Sequence, residues 1–198
     1  MRVQQVTYPT ALPISLSDIK DHLRIEQSET AYDSDLTHLV RTAAEWVQDN
    51  CHIWLINTEI LATFETFPNC RQFKLPAYPI QTIDSVKYDN LGGTETTLTG
   101  YQSDLVQVPA SIYPAISTTW PDTEIENIGA VRIEMTVGYG NDDSTVPNLV
   151  KHLLRLMVGH WFKHREAVLT GIVSKEIELA ADNLMKMLRV NEFEAFAV

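Results

Sequence analysis

The sequence predicts an α+β fold, a small helical bundle of about four helices with an inserted antiparallel β-domain. Apolar residues recur at three- and four-residue steps near both ends of the chain, whereas between His52 and Val137 they alternate with polar residues. The clearest alternation, Val131–Val137, ends at Gly138, and Pro147 then opens a second helical pattern. The chain is therefore expected to return to the bundle after the β-domain.

The first predicted helix begins after Ser15. The Ser15 hydroxyl can accept from a free amide of the first turn, and Asp18 stands three residues later as an acidic form of the capping box. Apolar side chains then share one face: Leu16, Ile19 and Leu23. A helix of about two turns is too short to stand alone, so packing must hold it. The polar stretch that follows, residues 27–32, is predicted to be a loop.

A longer second helix is predicted to run to Asn50, capped by Asp33 or Ser34. Asp33 and Asp35 in its first turn suit the positive end of the helix dipole. Its apolar stripe comprises Leu36, Leu39, Val40, Ala43, Trp46 and Val47.

Short antiparallel strands are predicted over residues 52–140. The cluster Asn90-Leu91-Gly92-Gly93 predicts a hairpin that joins residues 83–88 to residues 94–99. Pro109 and Pro114 interrupt the apolar residues between Val106 and Ile116, which predicts irregular edge structure there. The segment from Trp120 to Gly129 is predicted to be a polar loop.

The chain is expected to end in two helices and a tail. A long helix begins at Pro147, and a last helix spans about residues 176–190. The expected organisation is 12–50 for the N-terminal helices, 52–140 for the β-domain, 146–190 for the C-terminal helices and 191–198 for a flexible tail. The residues expected to form the bundle core are Leu36, Val40, Trp46, Leu153, Leu154, Met157 and Trp161.

Charge is distributed unevenly along this 198-residue chain, whose formal net charge is −11. Residues 1–146 hold 8 Lys and Arg against 20 Asp and Glu, whereas residues 147–198 hold 7 against 6. A groove that grips phosphates needs clustered cations, so an acidic body argues against tight nucleic-acid binding. The longest apolar run is interrupted by Arg155 and is too short to span a bilayer, so no membrane association is expected.

Candidate chemistry is sparse, and no catalytic, cofactor or metal site is predicted. Cys51 and Cys70 lack metal-ligand spacing and are expected to be free thiols. His160 and His164 lie one turn apart, but Trp161 follows His160 where a zinc protease has its glutamate base. Adjacent aspartates, Asp142 and Asp143, occur in a turn-forming context. A small metal-dependent hydrolase that uses His160, His164 and Asp142 remains an alternative.

The ordered set of segments resembles the head-tail connector (adaptor) proteins of tailed bacteriophages and phage-like particles such as gene transfer agents. The resemblance runs from about Leu12 to Val190. Its motifs are Leu-x-x-Ile-Lys-x-His-Leu-Arg from Leu16, Pro-Ile-x-x-Ile-x-Ser-Val-Lys-Tyr from Pro79, and Gly-Tyr-Gly from Gly138, followed by a Pro-led helix that ends in His-Trp-Phe-x-x-Arg-Glu.

The resemblance implies a structural protein of the virion neck, at the head–tail junction, that assembles in the host cytoplasm. Implied partners are the portal protein, the next tail or stopper protein and further copies of the chain in a ring, dodecameric in the particle. DNA would pass through the ring without sequence-specific binding. The residues that the resemblance places in portal docking are Leu184, Met187, Leu188, Phe193 and Phe196. A stopper or tail-completion protein at the same junction, using its β-part as the interaction surface, is the alternative.

Overall fold

The strands form two antiparallel sheets in the computed structural model, which describes residues 1–124, 128–164 and 183–188. In chain order the strands are β1 (Arg2–Gln5), β2 (Thr58–Phe64), β3 (Phe73–Lys74), β4 (Ile80–Asp89), β5 (Glu95–Thr97), β6 (Gln102–Asp104), β7 (Ser111–Tyr113) and β8 (Val131–Val137). The larger sheet has the order β1-β2-β8-β4-β5, and the smaller has the order β3-β7-β6. Helices accompany these sheets, so the predicted α+β class is confirmed.

Strand β8 lies at the centre of the larger sheet, between β2 and β4. Its apolar side chains Val131, Ile133, Met135 and Val137 are all buried, and Glu134 between them is exposed. The predicted alternation of a half-buried strand is therefore confirmed, because successive side chains of a strand point to opposite faces.

The predicted hairpin is also confirmed, with Lys87 opposite Thr97 and Asp89 opposite Glu95. The side chain of Asn90 forms the turn, since its Oδ1 accepts from the amides of Gly92 at 2.9 Å and Thr94 at 3.1 Å. Gly93 has a φ of 71°, a conformation that favours glycine.

The segment predicted as irregular edge structure is more ordered than expected. Residues Ser111–Tyr113 form β7, the middle strand of the smaller sheet, and Ile112 is fully buried. Pro109 and Pro114 flank this short strand and do not interrupt it. Neither proline therefore removes a hydrogen bond from the ladder, as it would inside the strand. The prediction was wrong for β7, while Val106 and Ile116 are exposed.

Three helices with defined bounds are α1 (Leu16–Leu23), α2 (Asp33–Cys51) and α3 (Asn148–Lys163), and residues 183–188 are also helical. Ser15 caps α1 as predicted, accepting from the Asp18 amide at 3.1 Å. The cap predicted for α2 was wrong, because Asp33 already lies within the helix and Tyr32 precedes it without a side-chain cap. Helix α3 begins at Asn148, one residue later than predicted, and Pro147 immediately precedes it.

The helical core contains most of the residues expected there. Leu36, Val40, Leu153 and Leu154 are fully buried, and Met157 is nearly so. Trp161 is only partly buried.

Trp46 is a correction to the expected core, because 37% of the residue is exposed. At 100° per residue, Trp46 lies about 80° around the axis of α2 from Leu36. The buried residues Ala44 and Cys51 lie on the other side of Leu36. The apolar residues that recur at three- and four-residue steps on α2 thus extend beyond the edge of its buried face, and Trp46 is one of them.

Two compact units make up the described chain. The sheet unit contains residues Met1–Pro9 and Asn57–Gly138, and the helical unit contains Thr10–Ile56 with the described part of Tyr139–Arg189. Strand β1 was not predicted, because its order comes from pairing with distant β2, with Arg2 opposite Thr63 and Gln5 opposite Ile60.

Candidate interaction surfaces

The aspartates considered for metal chemistry form a turn. Asp142 Oδ1 accepts from the Ser144 amide at 2.9 Å and from the Ser144 hydroxyl at 2.5 Å. These hydrogen bonds, first the hydroxyl and then the amide, lower the pKa of the Asp142 carboxyl from its ordinary value of 3.8. Among the described residues, no group of three or more His, Cys, Asp or Glu side chains is arranged to hold a metal ion.

His160 and His164 have ring centroids 4.7 Å apart. The Nδ1 atom of His160 is buried and has no hydrogen-bond partner among the described residues. Among the described residues, no third His, Cys, Asp or Glu side chain is placed to complete a metal site with this pair. In that part of the chain, moreover, no helix has the length and apolar character that a bilayer crossing requires.

An aromatic cleft, lined by residues that include Phe67 and Trp120, opens on the sheet unit, and the buried Phe73 packs against both rings. The rings of Phe67 and Trp120 stack with centroids 5.0 Å apart and an interplanar angle of 2°, and Phe73 meets Trp120 edge to face. Trp120 Nε1 donates to the carbonyl of Cys70 at 2.9 Å, which fixes the ring. The cleft encloses about 560 Å³ and has the exposed Leu91 at its border.

This cleft was not predicted from the sequence, because Trp120 lies in a segment that was predicted to be a polar loop. An aromatic residue directly before Pro121, in a loop otherwise rich in polar residues, was the available signal. Amphipathic aromatic side chains at a surface are common in protein interfaces.

A cationic cavity of about 530 Å³ opens on the helical unit, between α1 and α3. The two helices approach closely at Gly159, where a Cβ atom would lie 3.1 Å from His22 Nε2. The residues of the cavity that carry or can carry positive charge are His22, Arg24, His160, Lys163 and His164.

The surroundings of His22 lower the pKa of its imidazole. Its pKa is lowered from the ordinary value of 6.5, first by burial and then by the positive charges of Arg155, His152 and Lys163. Arg155 is itself paired with Asp18 at 3.6 Å. Among residues 1–124, 128–164 and 183–188, no carboxylate lies within ion-pair distance of His22, His152 or Lys163.

The residues predicted to dock on the portal are only partly within the described chain. Leu184, Met187 and Leu188 lie in the helical segment 183–188, where Met187 is 74% exposed and the two leucines are partly exposed. This segment lies beside the end of α2, since Cys51 Sγ is 3.9 Å from the carbonyl of Met185. Phe193 and Phe196 lie outside the described residues.

Comparison with solved structures shows what the fold resembles. A chain in the neck of an empty gene transfer agent particle, computed with C6 symmetry, superposes with a TM-score of 0.74 at 20% identity. Chains in the virion of the native particle and in its neck, computed with C12 symmetry, give TM-scores of 0.75 and 0.69 at 19% and 21% identity. Each match covers 96% of this chain and 95% of the other.

The chain shares its fold with chains of gene transfer agent particles. The agreement extends over both compact units, because it leaves only a few per cent of either chain unmatched. No family model and no curated protein matches the sequence.

Proposed function

We propose that this chain is a structural neck protein of a tailed-phage-like particle, located at the head–tail junction. The observation that supports this most is the full-length fold similarity to chains of gene transfer agent particles, which covers 96% of this chain and 95% of those chains. Two of those structures are of necks, and they were computed with C6 and C12 symmetry. A ring of identical copies is the arrangement that such symmetry describes.

Within the neck, we propose that the chain is the adaptor beneath the portal, where its ring extends the DNA channel and receives the next tail protein. An acidic wall suits that role because like charge repels phosphate, and residues 1–146 are strongly acidic. Leu184, Met187 and Leu188 are exposed or partly exposed on the segment assigned to portal docking. Phe193 and Phe196 would extend that contact.

The alternative within the same junction is a stopper or tail-completion protein. The aromatic cleft favours it, because Phe67 and Trp120 give the sheet unit an apolar surface of its own. Exposed Leu91 adds to that surface. A stopper would use this surface, whereas an adaptor would depend on the C-terminal segment.

Electron cryomicroscopy of purified particles tests the proposed location. Density for this chain should form a ring in contact with the portal. Its absence from the neck would contradict the proposed function, and so would turnover of a small molecule by the isolated protein. An ordered ion at His160 and His164 after soaking with Zn²⁺ would favour the hydrolase alternative.

Deleting residues 191–198 separates the adaptor from the stopper. The truncated adaptor should lose portal association, because Phe193 and Phe196 are removed, whereas a stopper should retain it. Trp120→Ala is the matched test of the aromatic cleft. It should impair a stopper and leave portal docking by an adaptor intact.

A further inference from the structure

The cationic cavity of the helical unit gathers positive charge on a chain that is acidic as a whole. Arg24 and Lys163 are exposed, and neither has a carboxylate partner among the described residues. The close approach of α1 and α3 at Gly159 brings His22 beside them. Like charges placed together repel each other, so a surface that supplies carboxylates would be held there.

The outer face of α2 has the complementary chemistry. Glu45, Trp46 and Asp49 are exposed on adjacent turns of that helix. Glu45 and Asp49 are four residues apart, so their like charges are neighbours and disfavour the isolated helix slightly. Trp46 between them is a large aromatic side chain that remains 37% exposed. A cationic partner would relieve the repulsion and cover the indole ring.

We propose that these two surfaces bind each other between neighbouring copies in the ring: Glu45, Trp46 and Asp49 on α2 of one copy dock on the cationic cavity of the next. The inference rests on the proposed function, since it specifies how the ring closes. A cyclic ring of more than two subunits needs two different, complementary patches on each copy. Both patches belong to the same helical unit.

The chemistry of this contact divides into charge and packing. Glu45 and Asp49 would face Arg24 and Lys163, and like-charge juxtaposition would disfavour other registers. Trp46 would enter the cavity, where cations lie within reach of its ring face, and tryptophan and arginine commonly dominate interface energy.

Chemical crosslinking in the assembled particle tests the contact. Cys51 is buried and Cys70 is exposed, so Cys70→Ser removes the reactive native thiol. In that background Asp49→Cys and Lys163→Cys are introduced together, and a short bismaleimide is added to purified particles. The expected result is a ladder of covalent multimers that extends to the full ring. Each single cysteine variant should remain monomeric.

The outcomes separate this inference from the proposed function. A neck that contains the double variant but gives no ladder overturns the contact and leaves the neck role intact. A dimer from either single variant also overturns it, because that result indicates a symmetric pairing of identical patches. If neither the double variant nor the unmodified chain is present in the neck, the proposed function itself fails.

Charge reversal provides an independent arm. Arg24→Glu with Lys163→Glu should lower the incorporation of the chain into necks roughly tenfold or more, since like charges would then face each other across the interface. Adding Glu45→Lys and Asp49→Lys to the same chain should restore incorporation. Arg2→Glu, an exposed charge reversal on the sheet unit away from both candidate surfaces, is the matched control and should have no effect. Failure of the fourfold variant to recover, with its fold intact, would overturn the pairing.

Discussion

Lys20 is a buried cation, 4% exposed, whose ammonium group lies near three oxygens. Its Nζ lies 2.6 Å from Asp33 Oδ1 and donates to the carbonyl of Glu29 at 2.8 Å and to that of Gln27 at 3.3 Å. Two of the three ammonium donors bind these carbonyls, and the Asp33 carboxylate balances the positive charge. One side chain in α1 therefore holds both the following loop and the first residue of α2.

Replacing Lys20 by methionine should lower the free energy of unfolding by about 2–3 kcal/mol. The change keeps the approximate length of the side chain but leaves two carbonyls without a donor and the Asp33 carboxylate without its countercharge. The loss is at the lower end for a buried ion pair because Asp33 keeps some contact with water. Urea unfolding measures it, and Arg41→Met, an exposed change on α2, is the control. Equal midpoints for the two variants would contradict the role of Lys20.

His22 should make stability depend on pH. Burial, followed by Arg155, His152 and Lys163, lowers its pKa in the folded chain below 6.5. Between these two pKa values the unfolded chain binds more protons, so the free energy of unfolding falls as the pH is lowered through that window.

The decline as the pH falls below about 6.5 should therefore be smaller in His22→Asn than in the unmodified chain. Urea unfolding at several pH values measures the difference. His38→Asn, at an exposed position on α2, controls for the loss of an imidazole. A pH profile of His22→Asn that matches the unmodified chain would refute the assignment.

At the scale of elements, the start of α1 depends on one hydroxyl. Ser15 Oγ accepts from the Asp18 amide at 3.1 Å, and α1 has only eight residues. Ser15→Ala should lower the free energy of unfolding by about 1 kcal/mol, because the amide loses its partner. Ser17→Ala, at an exposed helical position, is the control, and Ser15→Asp should restore most of the loss. A loss in Ser17→Ala equal to that in Ser15→Ala would show that the cap is not responsible.

Elements with local signals were the ones that the sequence predicted well. The Ser15 cap, the Asn90 turn and the alternation of β8 each depend on residues close together in the chain. Strand β1 was missed because it is ordered by β2, far away in the sequence. Strand β7 was missed because it has only three residues and one of its two partners, β3, is distant in the sequence. The loop after α1 was predicted as merely polar, since the sequence does not reveal that Lys20 binds its carbonyls.

The candidate surfaces were predicted less well than the fold, for the same reason. The cationic cavity combines His22 with Lys163, which are distant in sequence and meet only because Gly159 lets α1 approach α3. Likewise, Trp120 stacks on Phe67 across a long intervening segment. Trp46 shows the limit of periodicity, because the pattern on α2 could not separate the edge of the buried face from an exposed contact residue.

At the scale of the whole molecule, the net charge of −11 predicts that the isolated chain does not hold DNA. Its Kd for a random duplex at about 150 mM salt should be weaker than about 10⁻⁴ M, because few counterions would be released on contact. Arg24→Glu with Lys163→Glu should leave this result unchanged if the cationic cavity serves another copy of the chain. Electrophoretic mobility shift over a series of salt concentrations measures both proteins. Micromolar binding that weakens steeply with salt and disappears in the variant would assign the cavity to DNA and contradict its role between subunits.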